Sequence, residues 1–176
     1  DGHLKMVEEI IDEDSFVWKF FQPDSSHTQT VSEGNGYLSI FYTNGNLKEE
    51  YFYENGMKHG PFKEGSVYGY YLLRGNFKEN ERDGKWEYFY YTGDLEKIAN
   101  YEDGQLHGDF KQYYDNGELR VEGHYKKGEK DGYWKWYTNS GVTDMEGHFK
   151  EGEQHGDWKY YFPDGKLSYS ASFKEG

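Results

Sequence analysis

The side chains able to do chemistry in this chain recur at a fixed interval. His59, His107 and His155 each stand before a glycine, and Asp83 and Asp131 hold the same place in between, at steps of 24 residues. A ladder of metal ions is the chemistry such alternation would suggest. Spacing argues against it: equivalent positions in adjacent strand pairs lie about 10 Å apart, whereas zinc ligands converge to about 2.0–2.2 Å from one ion. His124 and His148, also one interval apart, fail the same test. These histidines and aspartates read instead as turn residues bonding the backbone.

Carboxylates are plentiful, but Glu49, Glu50, Glu122 and Glu146 fall at polar strand positions and read as a solvated face. The chain has no Gly-x-Ser-x-Gly elbow, no phosphate-cradling glycine loop and no zinc spacing. Gly34-Asn35-Gly36 lacks the third glycine and the following helix of a dinucleotide site. Cysteine is absent, which excludes disulfides and thiol chemistry. The expectation is a protein that is not an enzyme, with no catalytic residue, no cofactor and no metal.

Composition narrows the partner. The chain carries 33 acidic and 20 basic residues, a net charge of −13, which opposes binding to nucleic acid and disfavours direct contact with anionic lipid. A basic or neutral protein suits it better. The longest apolar run, residues 67–73, is broken by Gly69 and is far short of the roughly 18 residues of a membrane span. A soluble protein is expected, and cytoplasmic and exported locations both stay open, since numbering begins at Asp1 without an initiator methionine. Leu, Ile, Val and Phe number only 31 of 176 residues, which with this charge would suggest disorder. The 19 tyrosines and 5 tryptophans oppose that reading, because each can bury a large ring and keep its polar atom at the water boundary.

The elements that carry these residues follow from the glycines. Gly36, Gly60, Gly84, Gly108, Gly132 and Gly156 are 24 residues apart; Gly45, Gly69, Gly93, Gly117, Gly141 and Gly165 keep the same beat nine residues later. A third set, Gly56, Asn80, Gly104, Gly128, Gly152 and Gly176, is interrupted only by asparagine, the residue after glycine that best tolerates positive φ. All three sets are expected in turns, with pairs such as Gly104 and Gly108 making the return between hairpins. Between them stand two aromatic-rich series. Leu38, Phe62, Trp86, Phe110, Trp134 and Trp158 form one; Tyr53, Phe77, Tyr101, Tyr125, Phe149 and Phe173 form the other. Leu119, Val121, Gly123 and Tyr125 alternate with Arg120, Glu122, His124 and Lys126, the period of a strand with one buried face. Each repeat is therefore a β-hairpin, and Asp115-Asn116-Gly117 or Pro163-Asp164-Gly165 supplies its turn.

Strict alternation fails at Tyr88-Phe89-Tyr90, Tyr113-Tyr114 and Tyr160-Tyr161-Phe162, so either both faces carry rings or a bulge brings two rings to one side. Small residues at Gly75, Ala99, Gly123, Gly147 and Ala171 leave room for a neighbouring ring, a rule that Tyr51 breaks. The second repeat has Glu64, Gly65 and Ser66 where others have aromatics, and a local break or bend is expected near it. Trp18 to Ser25 parallels Trp158 to Gly165, and Asp1 to Leu4 parallels Asp164 to Leu167, so residues 1–35 read as divergent repeats and 36–176 as six regular ones. The fold class is all-β: an elongated antiparallel meander of tandem hairpins, twisted and curled, stabilised mainly between neighbours.

The run Tyr125-Lys126-Lys127-Gly128-Glu129-Lys130-Asp131-Gly132-Tyr133-Trp134-Lys135-Trp136-Tyr137 resembles the MORN repeat family, in its bacterial variant of about 24 residues per unit. The resemblance implies a hairpin array used for protein association and, for some members, an antitoxin or immunity role of the YwqK type. On this reading the chain is a non-catalytic protein-interaction scaffold. The alternatives are an antitoxin that neutralises a basic toxin, and a cell-wall or glycan-binding array of aromatic repeats. Trp86, Phe110, Trp134, Trp158 and the Tyr53-to-Phe173 series are assigned to the packed ladder. Tyr88, Trp136 and Tyr160, which lack a fixed aromatic equivalent in every repeat, are the candidate partner-binding rings. Unpaired end strands leave end-to-end or edge-to-edge self-association open.

Overall fold

A computed structural model describes residues 19–21 and 29–174. The parallels drawn for Trp18 to Ser25 and Asp1 to Leu4, and Gly176, lie wholly or largely outside those residues, as does most of the stretch 1–35. Every described element is a β-strand, and the chain divides into two units between Asp83 and Gly84. The first contains β1 (Lys19–Phe21), β2 (Gln29–Ser32), β3 (Asn35–Phe41), β4 (Leu47–Glu54), β5 (Met57–Gly65) and β6 (Tyr71–Lys78). The boundary falls inside β7 (Glu81–Phe89), which leads the second unit. That unit continues with β8 (Leu95–Glu102), β9 (Gln105–Tyr113), β10 (Leu119–Lys126), β11 (Glu129–Tyr137), β12 (Thr143–Lys150), β13 (Glu153–Tyr161) and β14 (Leu167–Phe173). Within each unit every strand pairs antiparallel with its chain neighbours. Among the described residues no helix is long and apolar enough to cross a membrane.

Two kinds of turn join the strands. Hairpin tips carry Gly45, Gly69, Gly93, Gly117, Gly141 and Gly165 at positive φ; in the first, Gly45 N–H donates to the Tyr42 carbonyl at 2.9 Å and Tyr42 N–H to Asn46 at 2.8 Å. The return turns are two residues long with both φ positive, as at Asp103 (46°) and Gly104 (74°) or Glu79 (51°) and Asn80 (70°). That is the type I′ geometry matching the right-handed twist of the flanking strands.

Gly60, Gly84, Gly108, Gly132 and Gly156 correct the expectation that they complete the return turn. They lie inside β5, β7, β9, β11 and β13. Their φ values of 64° to 100° belong to a bulge. Between β10 and β11 the partners pass from Glu122↔Lys135 to His124↔Asp131, two steps on one strand against four on the other. The same slip separates β4 from β5, β8 from β9 and β12 from β13. Extra residues on one strand bend it and increase its twist. In the second hairpin β5 and β6 pair from Gly60↔Phe77 to Gly65↔Tyr71, and the register slips by one residue between Glu64 and Gly65, a slip that other hairpins also show near their tips. Gly65 replaces an aromatic there because the Leu47 carbonyl occupies the space a Cβ would need.

Rings of one face form the packed layer. Trp86, Trp134 and Trp158 are at most 1% exposed, with Ala99 and Val121 also buried in the second unit; Val31, Leu38, Tyr53 and Phe62 are buried in the first. A Cβ on Gly123 would fall inside the Trp134 indole, and one on Gly147 inside that of Trp158. Opposite the smaller Phe110, the chain has Ala99. Each indole N–H is satisfied ten residues back, Trp134 by the His124 carbonyl and Trp158 by that of His148, both at 3.1 Å.

Candidate functional site

Tyr88, Trp136 and Tyr160 share the face of the packed ladder and are half-buried. Trp136 stacks between Trp134 and Trp158, with ring centroids 5.7 Å from each. Tyr160 lies parallel to Tyr169 at 4.3 Å, and Tyr88 shares a 2.7 Å hydrogen bond with the Tyr101 hydroxyl beneath the Lys97 ammonium, 3.7 Å from its ring. In the other series Tyr53 is buried and Phe77, Tyr101, Tyr125, Phe149 and Phe173 are half-buried. Alternation along each strand places residues i and i+2 together, so Trp136 follows Trp134 into the same layer.

The chain's own cations cover this layer. Lys130 Nζ sits 4.7 Å from the centroid of Trp134, 5.2 Å from Trp136 and 4.9 Å from Phe149. Burial pulls its ammonium below the ordinary lysine value. Lys58 repeats the arrangement over Tyr51, at 4.3 Å, and Phe77, at 5.5 Å; burial lowers its pKa and Glu49 opposes the shift. Cation–π attraction compensates part of the lost hydration.

The opposite face corrects the reading of Glu50, Glu122 and Glu146 as freely solvated. Glu146 is only 15% exposed. It accepts hydrogen bonds from Tyr133 at 2.6 Å and Tyr161 at 2.7 Å, with the ammonium groups of Lys135 at 3.7 Å and Lys159 at 3.9 Å. Burial pushes its carboxyl upward, but these donors and cations outweigh that and hold it below the ordinary value. Glu122 accepts from Tyr137 at 2.6 Å and faces Lys111 at 3.6 Å; Glu50 pairs with Lys63 at 2.7 Å. Rings thus occupy both faces, which resolves the consecutive aromatics: Trp136 joins the packed layer while Tyr137 turns its hydroxyl to Glu122. Separate one-residue slips occur near the tips, as between Trp136↔Met145 and Tyr137↔Thr143.

His59, His107 and His155, with Asp83 and Asp131, lie inside strands, which corrects their reading as turn residues, and three of the described histidines stand beside carboxylates. His59 lies 3.5 Å from Glu54, His107 3.3 Å from Glu102 and His124 3.2 Å from Asp109. His155 stands opposite His148 in register. Among the described residues no group of three or more His, Cys, Asp or Glu side chains is arranged to hold a metal ion.

Hairpin tips show two features that periodicity did not single out. Tyr42, Tyr90 and Tyr114 each donate a hydroxyl hydrogen bond to the carbonyl 23 residues on, at Gly65, Tyr113 and Tyr137, over 3.1, 2.7 and 2.8 Å. Their spacing by multiples of 24 was the available signal. The second feature is exposed aromatic surface: Tyr68 is 76% and Tyr91 78% exposed, with Val67, Tyr70 and Tyr71 also open beside Tyr68.

A family model described as a MORN repeat variant matches residues 35–55, 82–103, 106–127, 130–151 and 154–175. The unmatched interval between the first two contains Tyr68. A search of curated proteins gives no match.

Proposed function

The chain belongs to the MORN repeat variant family, and from that premise we propose that it is a non-catalytic scaffold that binds another protein through its hairpin tips. The observation that carries this reading is the exposure of Tyr68 and Tyr91. Most other rings of the ladder are consumed by packing, by hydroxyl bonds to neighbouring strands or by the chain's own lysines. Exposed tyrosine supplies contact area at little entropic cost and is enriched among residues that dominate interface energy. Affinity capture on the intact chain tests the proposal. A partner should be recovered by the wild-type protein, and Tyr68→Ala or Tyr91→Ala should weaken its binding by more than about five-fold. Equal recovery by both variants would remove the tips from consideration.

The net charge of −13 supports a narrower second reading, in which the partner is a basic toxin and the chain its antitoxin. Association steered by opposite charge slows as salt rises. Co-expression with the captured partner should restore growth that the partner alone arrests; unaltered growth arrest would leave the scaffold reading and discard this one.

A further inference from the structure

At three hairpin tips the side chain that follows the tip glycine reaches over the next tip glycine. Asn46 donates to the Val67 carbonyl at 2.8 Å and covers Gly69. Glu118 reaches Gly141, where its Oε2 would lie 3.3 Å from a Cβ, and Val142 covers Gly165 at 3.7 Å from the same point. Asp94 holds the equivalent place ahead of Gly117 and leaves it uncovered: nothing lies within 4 Å of where a Gly117 Cβ would stand. The gap is a cleft lined by Asp94, Leu95, Tyr113, Asp115, Asn116 and Gly117.

Its polar groups are not equivalent. Asn116 is occupied, donating to the Asn139 carbonyl at 2.8 Å and accepting from Glu118 N–H at 3.0 Å. Asp94 and Asp115 engage no ion pair and no side-chain hydrogen bond. The neighbouring cation, Arg120, is stacked over Tyr114 at 5.6 Å. We propose that this cleft receives an arginine side chain of a partner protein, with its stem against Leu95, its guanidinium facing Asp94 and Asp115, and the Tyr113 ring as a wall. Two free carboxylates beside an aromatic ring match a planar cation that both stacks and donates several hydrogen bonds. The site deepens the scaffold reading and rests on it for the identity of the partner as a protein.

Two variants separate a shaped site from general acidity. Asp94→Glu keeps the charge of −13 and places ahead of Gly117 the residue type that covers Gly141 from position 118, so it is expected to fill the cleft. Asp115→Asn leaves the shape and removes a charge. N-acetyl-arginine amide is titrated into the intact chain and followed by backbone amide NMR. Saturable shifts are expected at Leu95, Tyr113 and Gly117, weakened about five-fold or more by either variant. Absent shifts, or shifts spread over the carboxylates of the whole chain and unchanged in Asp94→Glu, would overturn the proposal. Capture of a protein partner distinguishes the two levels. A partner held equally by wild type and Asp94→Glu defeats the cleft and leaves the scaffold standing, whereas failure to capture any partner defeats the scaffold while the titration still judges the cleft.

Discussion

Positions 123 and 147 show how one missing carbon sets the packing. Trp134 and Trp158 rest directly on these glycines, so their indoles reach backbone and are sealed on the far side by Phe149, Trp136 and Lys130. Gly147→Ala must displace a fully buried ring, and overpacking of this kind is expected to cost about 1–3 kcal/mol in chemical denaturation. Ala99→Gly, opposite Phe110, removes one buried methyl and should cost less. Glu146 makes a second prediction at this scale. Its carboxyl is held below the ordinary value near 4.5, so the stability it contributes is complete above that pH and lost as pH falls through and below it. Tyr133 and Tyr137 are pushed above 10.0, first by burial and then by their bonds to Glu146 and Glu122. Their contribution is present below that value and declines as pH rises beyond it. Denaturation midpoints across pH should therefore fall at both ends, and Glu146→Gln should flatten the acid limb; an acid limb identical to wild type would refute the role assigned to Glu146.

Among elements, the hairpin is fixed by its turns and the next hairpin by what crosses between them. Return turns carry one such link: Gly128 N–H donates to the Leu106 carbonyl at 2.8 Å and Gly152 N–H to that of Lys130 at 3.0 Å. The tip tyrosines carry another. Tyr114→Phe keeps the ring and removes the donor to Tyr137, and a loss of about 0.5–1.5 kcal/mol is expected, since the carbonyl left behind is partly shielded from water. Faster hydrogen exchange localised to the tips of β9 and β11 would accompany it. The turn at Gly104 and the alternation of Leu119 to Lys126 were legible in the sequence, because both depend on local backbone preferences. The bulge was not. Gly108 needs positive φ whether it ends a turn or interrupts a strand, so residue type alone could not separate the two, and only the pairing of four residues against two places it.

For the molecule as a whole, stability distributed between neighbouring strands predicts local consequences of local damage. In Gly147→Ala, amide protection should fall in β12, β13 and their pairing partners while β3 to β5, in the first unit, keep theirs; a uniform loss across both units would show a single cooperative transition instead. The proposed functional surface divides along the same line of legibility. The sequence by itself determined the repeat length and the all-β class, because periodic spacing of glycine and aromatic residues is imposed by backbone geometry that recurs in each hairpin. Tertiary structure decided which rings remain free. Trp136 and Tyr160 looked surplus by spacing but are absorbed by Trp158 and Tyr169, while Tyr68 and Tyr91 lie beyond the strands where no neighbour reaches to cover them. It also decided that Glu146 is caged and Asp94 is open, since a carboxylate's surroundings depend on the length and direction of side chains on adjacent strands, which no pattern along one strand contains.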